Sequence, residues 1–315
     1  MTAPRFSPVP VGPLSLMFAC SFAGGQTATP TTPAQTVPPT ATAQSPAAQP
    51  PTLQLVRDWS VKLEPQVWYV APEGDLLLGG SAPGTDAVEL STLSADDPEV
   101  SAAGQVTIRV AADGEAGWES DRFWNHGWFF TVGGASFNGS ADSTAPAGGF
   151  TVGTLAVAGG AAVSTDVEWS SFHIMAGKWL AGSDFNSDGR VQAAFYGVIG
   201  LRVHSQDISI ASGGTTVEGN ETFVSPLIGL RLDLQLPCDF AVDINANVNF
   251  MPGDTSSFGF EIAPTFTWRP TRNIGVQLGY RLLIADNESG DEGADDFFSL
   301  DGSLAGLYGG VEIRF

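Results

Sequence analysis

The chain has 315 residues, with 13 Lys and Arg against 34 Asp and Glu, a net charge of -21. So acidic a chain lacks the basic patches that a phosphate backbone needs, which excludes nucleic acid as a partner and leaves cations compatible. With 38 Gly and only 15% charged residues, few segments read as helix, and the expected class is all-β.

Residues 1–25, MTAPRFSPVPVGPLSLMFACSFAGG, follow one base, Arg5, with an uncharged, partly apolar stretch ending in small residues. That reads as a secretory signal peptide, although Pro8, Pro10 and Pro13 interrupt it. LMFAC around Cys20 weakly resembles a lipobox; ordinary cleavage after a small residue is the plainer reading. With Cys20 in a segment to be removed, no disulfide is expected. Residues 26–53 are rich in Pro, Thr, Ala and Gln and carry no charge. They cannot bury a core and read as a disordered linker.

Residues 54–315 carry the fold. Strands are expected at 60–70, 74–81, 104–112, 127–138, 164–181 and 192–210, then in a run of clean alternations. PLIGLRLDLQL sets Ile228, Leu230, Leu232, Leu234 and Leu236 against Gly229, Arg231, Asp233 and Gln235. DFAVDINANVNF sets Phe240, Val242, Ile244, Ala246, Val248 and Phe250 against Asp239, Asp243, Asn245, Asn247 and Asn249. SFGFEIAPTFTW and NIGVQLGYRLLI repeat the pattern, and LYGGVEIRF closes the chain with Val311, Ile313 and Phe315 opposite Glu312 and Arg314. Turn signals separate them: LPCD, MPGDTSS and RPTRN.

That gives eleven strands. A closed barrel with both ends on one rim needs an even number, so a twelfth is expected at DAVEL (86–90) or FTVGTLAVA (150–158). No run is long and apolar enough for a membrane helix away from the N-terminus, but a barrel hides its apolar face in alternation. A soluble sandwich also alternates. Apolar faces unbroken over five or six alternate positions match the height of a tilted membrane strand. The Gly, Asn and paired charges opposite suit a crowded lumen. In this frame LPCD, RPTRN and the C-terminus share one rim, with Arg122, Arg190, Arg269 and Arg272. The other rim holds the base-free loop IADNESGDEGADDFF, with Asp286, Glu288, Asp291, Glu292, Asp295 and Asp296. Of the eight tryptophans several sit near strand ends, which suits interfacial girdles.

SPLIGLRLDLQL, VQLGYRLLIAD and YGGVEIRF resemble bacterial outer-membrane β-barrel proteins of small to medium size. The resemblance implies a closed up-and-down antiparallel meander of about 12 strands, within 8–12, in the cell outer membrane. It also implies that Tyr308, Gly310, Ile313 and Phe315 form the terminal signal that the barrel-assembly machinery reads, with outer-membrane lipids as the surroundings. Members of this class are pores, anchors, adhesins and, in a few cases, enzymes.

Candidate chemistry is sparse. DFNSDGRV places Asp184, Asn186 and Asp188 at alternate positions before Gly189, as a calcium loop does. Phe195 stands where that loop needs a bidentate Glu, and a plain hairpin turn explains the same residues. His126, His173 and His204 show no triad spacing, so no enzyme activity and no cofactor are expected. Arg202, His204, Arg231, Asp233, Asp243, Glu261, Arg281, Glu312 and Arg314 fall on polar strand faces and are expected to face the lumen. They form either a salt-bridged plug or the lining of a wet channel. The functions compatible with this are a porin-like channel or structural barrel with an acidic outer rim, passing small polar or cationic solutes. A surface-exposed binding barrel or adhesin is the alternative, with a lipid- or peptide-processing enzyme as a third.

Overall fold

A computed structural model describes residues 59–81, 85–110, 127–184, 191–291 and 293–315. The expected signal segment and linker lie outside the described residues, as do Trp118, Arg122, Trp124, His126, Asn186, Asp188, Arg190, Glu292 and the side chain of Asp184.

The strands are β1 (Trp59–Leu78), β2 (Val88–Glu89), β3 (Glu99–Val110), β4 (Trp128–Thr144), β5 (Phe150–Val152) and β6 (Leu155–Val157). They continue as β7 (Ala162–Asp184), β8 (Gln192–Ser212), β9 (Thr215–Gln235), β10 (Phe240–Met251), β11 (Thr255–Trp268), β12 (Ile274–Ser289) and β13 (Phe298–Arg314). β1, β3, β4 and β7 to β13 pair in chain order, each antiparallel to the next, and β13 pairs back to β1. The sheet is therefore a closed barrel of 10 strands. β2 adds to β1 outside the ring, and β5 and β6 make a separate hairpin. The expected twelve becomes ten for two reasons. The segments 60–70 and 74–81 are one strand, β1, and DAVEL and FTVGTLAVA contribute no stave. Pro72, Glu73 and Gly74 look like a turn, yet the chain runs straight through them. Gly74, at φ +153°, lets the backbone pass where a Cβ would sit 2.4 Å from the Asp301 carbonyl.

The register fixes the barrel's shape. A row of cross-strand partners runs Trp59, Val110, Trp128, Lys178, Gly197, Leu230, Ala246, Ile262, Leu282, Ala305. It returns to β1 at Ala71, 12 residues above its start. With ~3.3 Å per residue and ~4.8 Å between strands this stagger is a tilt of roughly 40°, within the range of transmembrane barrels.

The two faces of the wall exchange character part-way up the same strands. In the lower part the outward side chains are apolar and the inward ones polar. β12 turns Val276, Leu278 and Tyr280 outward, and Gln277 and Arg281 inward. In the upper part the order inverts. β7 passes from outward Ile174 and Phe172 to outward Glu168 and Asp166, while its inward side changes from His173 to Trp169, Val167 and Val163. β9 likewise passes from outward Ile228 to outward Glu218 and from inward Arg231 to inward Phe223. No register slip accompanies the change; the period of 2 holds and only the residue types swap.

The upper interior is a packed apolar core of Trp68, Leu76, Phe137, Trp169, Ile208, Phe223 and Phe298, among others. β3 is too short to reach it: Glu99 stops opposite Val70, while β1 and β4 continue upward. The loop after β1 fills that gap, and its 3₁₀ turn Leu90–Leu93 buries both leucines in the core. Val152, Leu155 and Val157 of the β5–β6 hairpin close the same core.

Candidate functional site

Expected lumen residues converge below the apolar core. Arg202, His204, Arg231, Asp233, Asp243, Glu261, Arg281, Glu312 and Arg314 are all buried on the inward face. Near the lower rim Lys62 lies 3.0 Å from Glu64, and 3.9 Å from both Asp243 and Glu312. Arg269 and Arg314 each place Nε 2.7 Å from Glu312 Oε1. Arg231 Nε donates to Asp233 at 2.6 Å, and Arg109 reaches the other oxygen of Asp233 at 2.5 Å. Gln105 and Gln277 donate to the two oxygens of Glu64 at 2.7 and 2.5 Å. Two groups of neighbouring strands supply these side chains, so ion pairs tie β13, β1 and β3 to β9, β10 and Arg269, just past β11, across the lumen.

Glu64, Asp243 and Glu312 lie close enough together to hold a cation. The Lys62 ammonium already reaches all three, so the donor set is satisfied by the chain itself. One level higher Glu261 accepts from Arg202 and pairs with Arg281 at 3.2 Å. The Arg281 guanidinium also lies over the Trp68 and Tyr308 rings, 5.4 and 5.5 Å from their centroids, where aromatic faces attract a cation. A polar cavity of about 10 Å³ lies here, lined by Gln66, His173, Glu261, Arg281 and Tyr308 among others. That is room for about one water. His173 and His204 are inside the wall, with His204 edge-on to Trp169.

Sequence reading assigned Arg269 to the rim. It is buried instead and bonds Glu312, because Trp268 is already at the rim and Arg269 folds back into the lumen. Arg272 stays exposed in the turn. The Gly- and Thr-rich run ASGGTTVEGNE (211–221) is strand except for Gly213 and Gly214, and it forms the tip of the β8–β9 hairpin. Only two glycines at positive φ are needed to turn it.

Outside, the wall divides by height. Trp59, Trp128, Trp268 and Phe315 are exposed along the lower edge of the apolar band, as an interfacial girdle would be. Trp68 and Trp169, by contrast, are core residues. Phe315 closes the ring through backbone bonds with Val61, while Tyr308 points inward and meets the Thr265 hydroxyl. Above the band the outer face is acidic. Among the described residues no Lys or Arg occurs on the upper wall or its loops. Glu89, Asp75, Asp301 and Asp286 stand side by side on four neighbouring strands.

Two groups are not singled out by the sequence: Glu64, for which the alternation of β1 is the available signal, and Lys178. Lys178 is in phase with the apolar outer face of β7, between Ala176 and Leu180, and is exposed there. A base in an apolar phase was the available signal.

No protein-family model matches the chain, and comparison with curated proteins finds no match. Among solved structures the chain is similar to the outer membrane protease OmpT from Escherichia coli. That likeness has a TM-score of 0.47 and 8% identity, covering 81% of this chain and 97% of that one. It is also similar to Ail, the attachment invasion locus protein of Yersinia pestis, solved with the heparin analogue sucrose octasulfate. There the TM-score is 0.29 and the identity 11%, over 81% of this chain and 99% of that one. Neisserial surface protein A gives 0.28 and 12%, over 82% and 98%. The membrane assignment stands on the chain's own wall: apolar outside, polar and ion-paired inside, and closed on itself.

Proposed function

We propose that this outer-membrane β-barrel is a sealed anchor that displays an acid-sheathed extension outside the cell. The observation that carries the reading is the filling of the lumen. Ion pairs from Lys62 to Arg281 bridge its lower part, and the apolar core with Leu90 and Leu93 closes its upper part. A diffusion pore needs a continuous wet path, and a cavity of about 10 Å³ is not one.

In this reading the working surface is outside, and its carboxylates without bases suit cationic ligands. The reading is non-enzymatic: the two described histidines are packed inside the wall. The C-terminal segment with Tyr308, Gly310, Ile313 and Phe315 is the signal we assign to the barrel-assembly machinery, read from the strand before the ring closes. Planar bilayers containing the purified protein test the sealed lumen. No stepwise conductance is expected. Stable, cation-selective steps would favour the porin reading instead.

A further inference from the structure

We propose that Lys178 holds the phosphate of an anionic phospholipid in the periplasmic leaflet. The proposal rests on the membrane position of the wall and not on the sealing of its lumen.

Every other base on the described strands, from Lys62 to Arg314, points inward and has a carboxylate within 4.0 Å. Lys178 alone points outward, and no described carboxylate pairs with it. Such a charge near the middle of a bilayer is strongly disfavoured, but the disfavour falls away towards the interface. Lys178 is near that edge. Its cross-strand partner is Trp128, one of the lower girdle tryptophans, and its ammonium is 5.3 Å from that ring's centroid. The long side chain thus carries its charge along an aromatic face to headgroup depth.

The neighbourhood supplies the rest of a lipid site. On the other side Lys178 faces Gly197, which has no side chain, and Leu180 lies over that gap. Phe130, Ile174 and Ile199 extend the apolar wall upward, where an acyl chain would run. A cation at the edge with an apolar track above it matches a phospholipid with its phosphate outward. The rim concerned carries both ends of the barrel, Trp59 and Phe315, which in barrels of even strand number is the periplasmic one, and that leaflet is where the lipid would come from.

Native mass spectrometry of the delipidated barrel in neutral detergent tests this with phosphatidylglycerol and phosphatidylcholine as probes. The unaltered protein should retain more phosphatidylglycerol. Lys178→Gln should lower that retention about fivefold and leave phosphatidylcholine unchanged, while Lys178→Arg should preserve it. Lys178→Leu, which suits a lipid face, should show the same loss and serves if the Gln variant does not fold. Equal retention of the two lipids, or undiminished phosphatidylglycerol in a folded Gln or Leu variant, would overturn the proposal.

Discussion

Asp75 and Asp301 stand directly opposite each other on neighbouring strands, just above the apolar band, with Asp286 next to Asp301 and Glu89 next to Asp75. Like charges in this position oppose folding. Partial burial first, then Glu89 and Asp301, push the Asp75 carboxyl up; burial, then Asp301 and Glu288, do the same to Asp286. A raised folded value means that ionisation disfavours the native state. The penalty is fully present above that value and is lost as pH falls through it towards the unfolded one.

Mild acidification should therefore stabilise the extension. Asp301→Asn should raise the Tm of the detergent-folded protein at neutral pH and flatten its rise on acidification. Thermal melts across pH check this; an unchanged slope in the variant would remove the row as its cause.

Among the described residues Glu261 is the one anion shared by Arg202 and Arg281. Glu261→Gln leaves two buried guanidinium groups without a carboxylate. Breaking a buried pair in this way costs about 3–5 kcal/mol. Urea unfolding in detergent or liposomes should show a loss of that order. A loss within about 0.5 kcal/mol, as for an ordinary surface change, would mean that the pair is not buried as described.

Leu93 seals the upper core from a loop rather than from a stave. Leu93→Ala should destabilise the extension by about 2–5 kcal/mol while the ion-paired lower barrel persists. Hydrogen exchange should then rise at the tops of β1, β4 and β7 and stay slow in their lower halves. Uniform acceleration along the strands would show that the two levels unfold as one.

Phe315 is outward at the lower rim and Arg314 inward, beside Glu312. Phe315→Ala should lower the amount of inserted barrel in cells while affecting refolding in detergent less. Arg314→Ala should disturb the lumen's ion pairing and leave insertion closer to normal. Quantifying folded protein in outer-membrane fractions and in detergent refolding separates the two. Identical behaviour of both variants would end the distinction.

Much of this was legible in the sequence. The alternation of β10 to β13 fixes which residues face lipid, because a period of 2 leaves no choice once one face is apolar. The continuity of β1 was hidden by Pro72 and Gly74, which signal a turn locally but are accommodated by a close backbone approach to β13. The inversion was hidden for a related reason. Above the band the apolar residues change to the other face, so Glu218 and Asn220 in a Gly- and Thr-rich run look like loop when they are the outer side of a strand. Lys178 is hard to see in the sequence because its neighbours define an apolar face. Only the register that puts it across from Trp128 shows where its charge goes.

The wall meets lipid below Asp286 and water above it. Impermeant maleimide labelling of intact cells tests it most directly, in a Cys238→Ser background because Cys238 is exposed. Ser289→Cys, at the top of β12, should label on intact cells. Leu278→Cys, on the outer face lower on the same strand, should stay unlabelled even after permeabilisation and react only once the barrel is unfolded. Labelling of Leu278→Cys in folded, permeabilised cells, or of Ser289→Cys only after permeabilisation, would mean that this boundary does not exist.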